Sequence, residues 1–336
     1  LVGIYALQTR EDLTRIYTYD SDFNSEFDFT NLAIFTQLDT TITDQWQFST
    51  GLRLEQRDAS YNDSQAVAFN PKENFWGGRI ALQYFPNDGK MLYASLSRGY
   101  KAGGFNTDGS LDADLRQFDA EYLVELELGA KLSLADDTLQ LKAAVFYDQR
   151  RDQQVKSSQL RVRANNSTEF VEYLGNAARG TNRGFELESR WLTHDNLTLF
   201  ANIGLLQARF DEFVNEAGEN LAGRDQAQAP AYTYNLGANI DIGHWHTSVS
   251  IDGKDEFYFS DRHSLTSTAY TLLNTNISYV QARWKLSFWG RNLTNKDYTI
   301  RGFGSFGNDP RKGYITESYV QYGEPRMIGV SAEYEL

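Results

Sequence analysis

The sequence predicts an all-β protein, an antiparallel up-and-down transmembrane β-barrel. Three observations point there. Apolar residues recur at every second position over long runs, short and long connections alternate along the chain, and aromatics are plentiful while no apolar segment reaches the length of a membrane helix. The 336 residues include 20 Tyr and 21 Phe against 5 Pro and no Cys, a mixture that suits pleated strands. Without cysteine there is no disulfide framework, thiolate metal site or thiol nucleophile. The net charge of -13 argues against a nucleic-acid partner, which needs concentrated Lys and Arg. No run approaches the roughly 18 apolar residues of a membrane helix, so any spanning falls to strands, and in lipid only a closed barrel satisfies their backbone. No charged and apolar leader opens the chain at Leu1, and Val2 already reads as strand, so the sequence is expected to begin inside a domain.

The period-two pattern is clearest from Tyr122 onward. Tyr122, Val124, Leu126, Leu128, Ala130, Leu132 and Leu134 share one face, opposed by Glu125, Glu127, Gly129, Lys131 and Ser133. The same split recurs at Phe185, Leu187 and Trp191 against Glu186, Glu188 and Arg190, and at Tyr232, Tyr234, Leu236, Ala238, Ile240 and Ile242 against Thr233, Asn235, Gly237, Asn239 and Asp241. A soluble sandwich also alternates. Strand length separates the two, because runs of about 10 to 14 residues match a tilted membrane strand rather than the 5 or 6 usual in soluble sheets.

Short turns are expected at residues 41–44, 86–89, 135–137, 194–196, 243–244 and 281–282, and long polar connections at 58–72, 101–120, 152–179, 211–230, 254–268 and 297–324. Short periplasmic turns opposite long extracellular loops are the habit of an outer-membrane barrel. Counting this way gives about 14 strands, with Leu336 on the periplasmic side. The last apolar face, Ile328, Val330, Ala332, Tyr334 and Leu336, resembles the terminal signal by which the barrel-assembly machinery recognises its clients, although the chain ends in Leu where Phe is usual.

Residues 92–106, LYASLSRGYKAGGFN, together with ELGAK (127–131), NAARGTNRGFELESRW (176–191), NLTNKDY (292–298) and YGEPRMIGV (322–330), resemble the TonB-dependent outer-membrane receptors, in particular their siderophore-receptor-like branch. The resemblance implies that residues 1–336 form the C-terminal part of the receptor barrel, about 14 of 22 strands, with the signal peptide, TonB box, plug domain and first strands absent. It further implies a site in the cell outer membrane and energy-coupled uptake of a scarce ligand, such as a ferric siderophore. The implied partners are outer-membrane lipid, an extracellular metal chelate, the TonB complex through the missing N-terminal region, and the assembly machinery. No cofactor and no enzymatic activity are implied.

Read from the residues alone, anionic chelates call for cationic and aromatic partners, which makes Tyr100, Lys101, Arg116, Arg161, Arg163, Arg301, Phe303 and Phe306 candidate ligand contacts. The alternative for each is that it orders its loop. Trp46, Tyr84, Tyr147, Trp191, Trp245, Tyr279, Trp284, Tyr298 and Tyr334 lie near strand ends and read as membrane-interface girdles. His244 and His246 share a face but sit beside a turn with no third metal ligand in view. Asp108, Asp112 and Asp114 lack a calcium-loop pattern and read as a solvated acidic loop. Glu125 with Glu127 and Glu186 with Glu188 have the spacing of a lumen face, which is favoured over acid and base catalysis. A passive porin-like channel and a soluble all-β carbohydrate-binding protein remain the competing readings.

Overall fold

The computed structural model describes residues 1–16, 22–162, 168–215, 218–306, 309–315 and 317–335, with side chains described for all of these except 158–162, 168–170, 178 and 305–306. Fourteen long strands form the wall. They are β1 (Val2–Arg15), β2 (Phe23–Thr43), β3 (Trp46–Asp63), β4 (Lys72–Tyr84), β5 (Lys90–Lys101), β6 (Glu121–Leu134) and β7 (Leu139–Val162), followed by β8 (Thr168–His194), β9 (Leu197–Glu212), β10 (Tyr232–Ile242), β11 (Trp245–Lys254), β12 (Tyr270–Gln281), β13 (Trp284–Arg291) and β14 (Met327–Tyr334). Each pairs antiparallel with its neighbours in sequence, which is an up-and-down meander. Among the described residues the sheet is not closed: β1 pairs only with β2 and β14 only with β13.

Residues directly opposite in a ladder share a face, so the register places the apolar stripes. Leu126 pairs with Leu96 and Tyr147, Leu128 with Ala94 and Val145, and Leu236 with Ile251. Ile4, Ile34, Leu54 and Trp76 continue that face across β1 to β4, and Ile277, Phe288 and Val330 carry it to β14. These side chains are uncovered. Val124 is 42%, Leu126 49%, Leu128 48% and Leu236 36% exposed, so the stripe meets no second sheet and is an outer belt for lipid.

The opposite face is polar. Asn235 Nδ2 and Asn274 Nδ2 each donate to the Asp252 carboxylate at 2.6 Å, and Asn274 Oδ1 accepts from the Asn292 backbone N–H at 3.0 Å. Such a ladder of amides suits a wet lumen. Tight turns fall at 44–45, 85–89, 135–138, 195–196, 243–244 and 282–283, all on one rim. There, Trp46 packs on Tyr84 at 4.6 Å, Trp245 on Tyr279 at 5.0 Å and Trp284 on Tyr334 at 4.8 Å between ring centres. Trp191 pairs with Leu139 at the same level. Tyr147 stands eight residues further up its strand, against Leu126 and Arg183. Ile328, Val330 and Tyr334 are exposed on the outer face of β14, where Ala332 pairs with Leu286; Leu336 lies outside the described residues.

Two expectations need correction. Residues 152–179, read as a loop, are largely a ladder: β7 and β8 stay paired from Leu139–Trp191 up to Val162–Thr168. The alternation vanished there because above the membrane neither face meets lipid, while the backbone bonds continue. Tyr298, read as a girdle residue, lies outside any strand, packs on Tyr270 at 4.6 Å and lines the lumen side beside Asn274 and Asn292. An interfacial ring would face outward.

At the other rim the strand ends and the connections between them share small cores. Val155, Ala177, Phe210 and Phe213 bury one another under Leu221, and Leu111, Val171 and Tyr173 do so beside Leu115.

Candidate functional site

On the face of β7 opposite Val145 and Tyr147, the upper hairpin of β7 and β8 and the connections 213–231, 255–269 and 292–326 enclose a hollow of about 730 Å3. Four cationic side chains, Arg150, Lys156, Arg262 and Arg301, line it against two acidic ones, Glu172 and Asp261, in a chain whose net charge is -13. Phe259, Phe303 and several glutamines complete the wall.

Local contacts hold these groups in place. Arg150 Nε donates to Glu121 Oε1 at 2.6 Å, while Glu121 Oε2 accepts from the Gln154 backbone N–H at 2.9 Å. Arg262 Nη2 reaches Glu172 Oε1 at 3.2 Å, tying the 255–269 connection to β8. The Arg301 guanidinium lies 4.7 Å from the Phe303 ring centre, an arrangement that keeps its fork open to a ligand. Beneath them Arg224 acts as a clamp, donating to the carbonyls of Ser260, Asp261 and His263 and stacking on Tyr258 at 4.1 Å.

Two titratable groups sit in this clamp. Burial pushes the Asp261 carboxyl above its ordinary value, opposed by the Ala227 backbone N–H that donates to it at 2.7 Å and by Arg224 and Arg262. Burial holds the His263 imidazole below its ordinary value, helped by repulsion from Arg262 and Arg224 and opposed by a hydrogen bond to the Gly302 backbone. A neutral His263 thus ties the 255–269 connection to the neighbouring one, and Gly304 leaves the space its ring occupies.

The candidate residues divide. Arg301 and Phe303 come together at the hollow. Tyr100 is packed on Phe75 at 4.7 Å, donates to Glu55 at 3.0 Å and accepts from Arg53 at 3.2 Å, so its hydroxyl is engaged in the wall. Lys101 is exposed at the end of β5, opposite Glu121. Arg116 is fully buried: it pairs with Asp63, donates to Gln65 Oε1 at 2.7 Å and to the carbonyls of Gly109 and Leu111, and lies 5.4 Å from the Phe23 ring centre. As a ligand contact it is corrected, because no edge of its guanidinium is left for a ligand. Arg163 lies outside the described residues. The strands pair the Arg161 backbone with Glu169 and the Phe306 backbone with Glu317, but neither side chain is described.

Arg150, Lys156, Glu172, Phe259 and Arg262 were not singled out from sequence. Arg150 and Lys156 stood among the glutamines of β7, whereas Glu172 on β8 and Phe259 and Arg262 on the 255–269 connection carry no local signal. His246 Nδ1 lies 2.7 Å from Asp241 Oδ1 and His244 packs edge-on against Tyr279. Among the described residues no group of three or more His, Cys, Asp or Glu is placed to hold a metal ion. The Asp108 carboxylate caps its own turn through the Ser110 N–H and hydroxyl. The arrangement can hold an anion between cations and ring faces, and it shows no nucleophile poised beside a base.

Comparison with known proteins agrees with the fold of the wall. The family model described as "TonB dependent receptor-like, beta-barrel" matches residues 4–293. The pesticin receptor of Yersinia pestis is 25% identical over 317 residues, covering 90% of this chain and 45% of the receptor. A probable TonB-dependent siderophore receptor, PiuA of Acinetobacter baumannii, is 25% identical over 145 residues, covering 40% of this chain and 19% of that protein. Among solved structures, the ferric yersiniabactin uptake receptor FyuA from Yersinia pestis superposes with a TM-score of 0.76 at 22% identity, covering 99% of this chain and 50% of the other. The unliganded ferric citrate transporter FecA superposes with a TM-score of 0.71 at 16% identity, again covering 99% and 50%. The chain therefore spans about half the length of the curated relatives it matches over most of its own length.

Proposed function

Because this chain belongs to the TonB-dependent receptor β-barrel family and its wall is an outer-membrane one, we propose that it forms the uptake side of a receptor that imports a scarce anionic metal chelate, a ferric siderophore, by TonB-coupled transport. The observation that carries the reading is the cationic and aromatic hollow at the extracellular end of the lumen face. Carboxylate, catecholate and hydroxamate chelates present delocalised negative charge and flat rings, which arginine forks and phenylalanine faces match. Relatives named as receptors and transporters support recognition and passage rather than bond-breaking. The free edges of β1 and β14 and the half-length coverage support a larger barrel in which these strands are the C-terminal part, completed by further strands and a plug on which TonB pulls. The exposed apolar face of β14 supports recognition by the assembly machinery.

Uptake of radio-iron chelates by cells carrying the gene on its whole reading frame tests this. Arg262→Ala and Arg301→Ala are each expected to raise the half-saturating chelate concentration by about tenfold, and collapse of the proton-motive force to abolish uptake. Uptake that survives the collapse would indicate a passive channel instead.

A further inference from the structure

The carboxylates around the hollow are of two kinds. Glu121 and Asp261 are held by the backbone as well as by arginine: the Gln154 N–H donates to Glu121 Oε2 at 2.9 Å and the Ala227 N–H to Asp261 Oδ1 at 2.7 Å. They are fixtures of the wall and the clamp. Glu172 has no such anchor. Its side chain is 65% exposed, and its one hydrogen-bonding partner among the described residues is Arg262, whose Nη2 donates to it at 3.2 Å. Alternation along β8 aims it: Val171 and Tyr173 turn into the small core beside Leu115, so Glu172 projects from the opposite face, into the hollow. Lys156 shares that face, because it pairs with Leu174, two residues along the strand.

Arg262 does not depend on Glu172 for its place. Its Nε and its backbone N–H both donate to Ser260 Oγ, at 3.3 and 3.2 Å. The connection that carries it is clamped by Arg224 and Ala227, and by Gln228, whose N–H donates to the Tyr258 carbonyl at 2.9 Å and whose Nε2 donates to the Phe259 carbonyl at 3.1 Å. An exposed ion pair adds little to the stability of such a segment. What the Glu172 carboxylate does is fill the Arg262 fork. Lys156 and Arg301, by contrast, have no carboxylate partner among the described residues.

We propose that Glu172 is a built-in competitor for the anionic arm of the chelate: its carboxylate occupies the Arg262 fork in the empty hollow, swings aside when the chelate binds, and retakes the fork as the chelate leaves. The proposal rests on the reading of the hollow as the chelate site. A fork that binds a carboxylate binds the oxygens of an anionic chelate through the same contacts. Exchanging one anion for the other never leaves Arg262 bare, so the carboxylate lowers affinity and eases release, which an importer needs once capture is complete.

The test uses the protein expressed from its whole reading frame, purified in neutral detergent, with ferric tris-catecholate and ferric citrate as anionic probes. Equilibrium and stopped-flow binding are measured for the wild type, E172Q, E172D and R262Q. E172Q removes the charge, whereas E172D keeps it on a side chain too short to reach the fork. Both are expected to bind the better probe about threefold more tightly than the wild type, mostly through slower dissociation. The gain is expected to require Arg262, so that R262Q and E172D/R262Q bind alike. A gain in E172Q alone would show plain repulsion and overturn the competitor; weaker binding in E172Q would make Glu172 a strut and overturn it too. Binding that no substitution of Glu172 changes would sink this proposal and leave the hollow as the chelate site. Failure of the wild type and every variant to bind either probe would sink both.

Discussion

At the short-turn rim two residues suffice to reverse the chain at 44–45, 195–196, 243–244 and 282–283, and the ends are sealed by Trp–Tyr pairs facing lipid. At the opposite rim residues 292–326 separate β13 from β14, and strand ends and connections together bury Phe210, Val171 and a whole arginine. The wall is thus held by a backbone ladder with its apolar side chains turned out to solvent lipid, whereas the crown is held by small cores and buried polar pairs, as a soluble protein is. The two parts should therefore fail separately and for different reasons.

The largest separation is expected from Arg116→Ala. It strands the Asp63 carboxylate, whose side chain is fully buried, and leaving one half of a buried pair costs about 3–5 kcal/mol. Proteolytic nicking within 102–120 is expected to rise sharply while heat-modifiable migration of the barrel is retained; a barrel that unfolds along with the crown would erase the distinction. Leu126→Arg should do the reverse, lowering unfolding stability of the wall in detergent or bilayer by about 2–4 kcal/mol without changing crown proteolysis. Trp245→Ala removes the ring on Tyr279 and is expected to cost roughly 1 kcal/mol beyond its lost area, read in the same unfolding assay.

The smallest effect concerns pH. His263 is depressed in the closed loop, so the opened loop binds a proton more readily; the closed form keeps its full stability above the ordinary imidazole value of about 6.5 and loses it as pH falls through that value toward the depressed one. Tryptic cleavage after Arg262, measured relative to an unstructured control peptide at the same pH, is expected to quicken between pH 7.5 and 5.5, and His263→Gln to flatten that dependence. A relative cleavage rate that falls on acidification would contradict the assignment.

The wall was legible because each of its residues answers to one of two solvents. Tyr122 through Leu134 alternates in sequence and lies along one strand in the structure, and the fourteen strands counted from turn spacing are the fourteen of the sheet path. Above the belt that rule lapses. β7 continues for 24 residues, yet Asp152 to Val162 carry no apolar stripe, because neither face meets lipid and the face that packs under the crown does so with Gln153 and Ser157 as well as Val155. The hollow was less legible still. Arg150 and Glu172 come from the β7–β8 hairpin and Arg262 and Arg301 from two separate connections, and of these only Arg301 stood out, beside the phenylalanine it now stacks on. Arg116 shows the converse, a loop arginine whose partners, Asp63 at the end of β3 and Gln65 in the turn after it, carry no local signal.

The central claim is that lipid bathes one set of alternate side chains and water the other. Since the chain has no cysteine, single Cys labels at neighbouring positions report it cleanly. With spin labels at Leu126 and Glu125 in the protein reconstituted in a bilayer, collisional relaxation by lipid-soluble oxygen should be strong at 126 and weak at 125, and a water-soluble nickel chelate should give the opposite order. Labels at 126 that meet neither reagent would place that side chain in a dry protein interior and contradict the account.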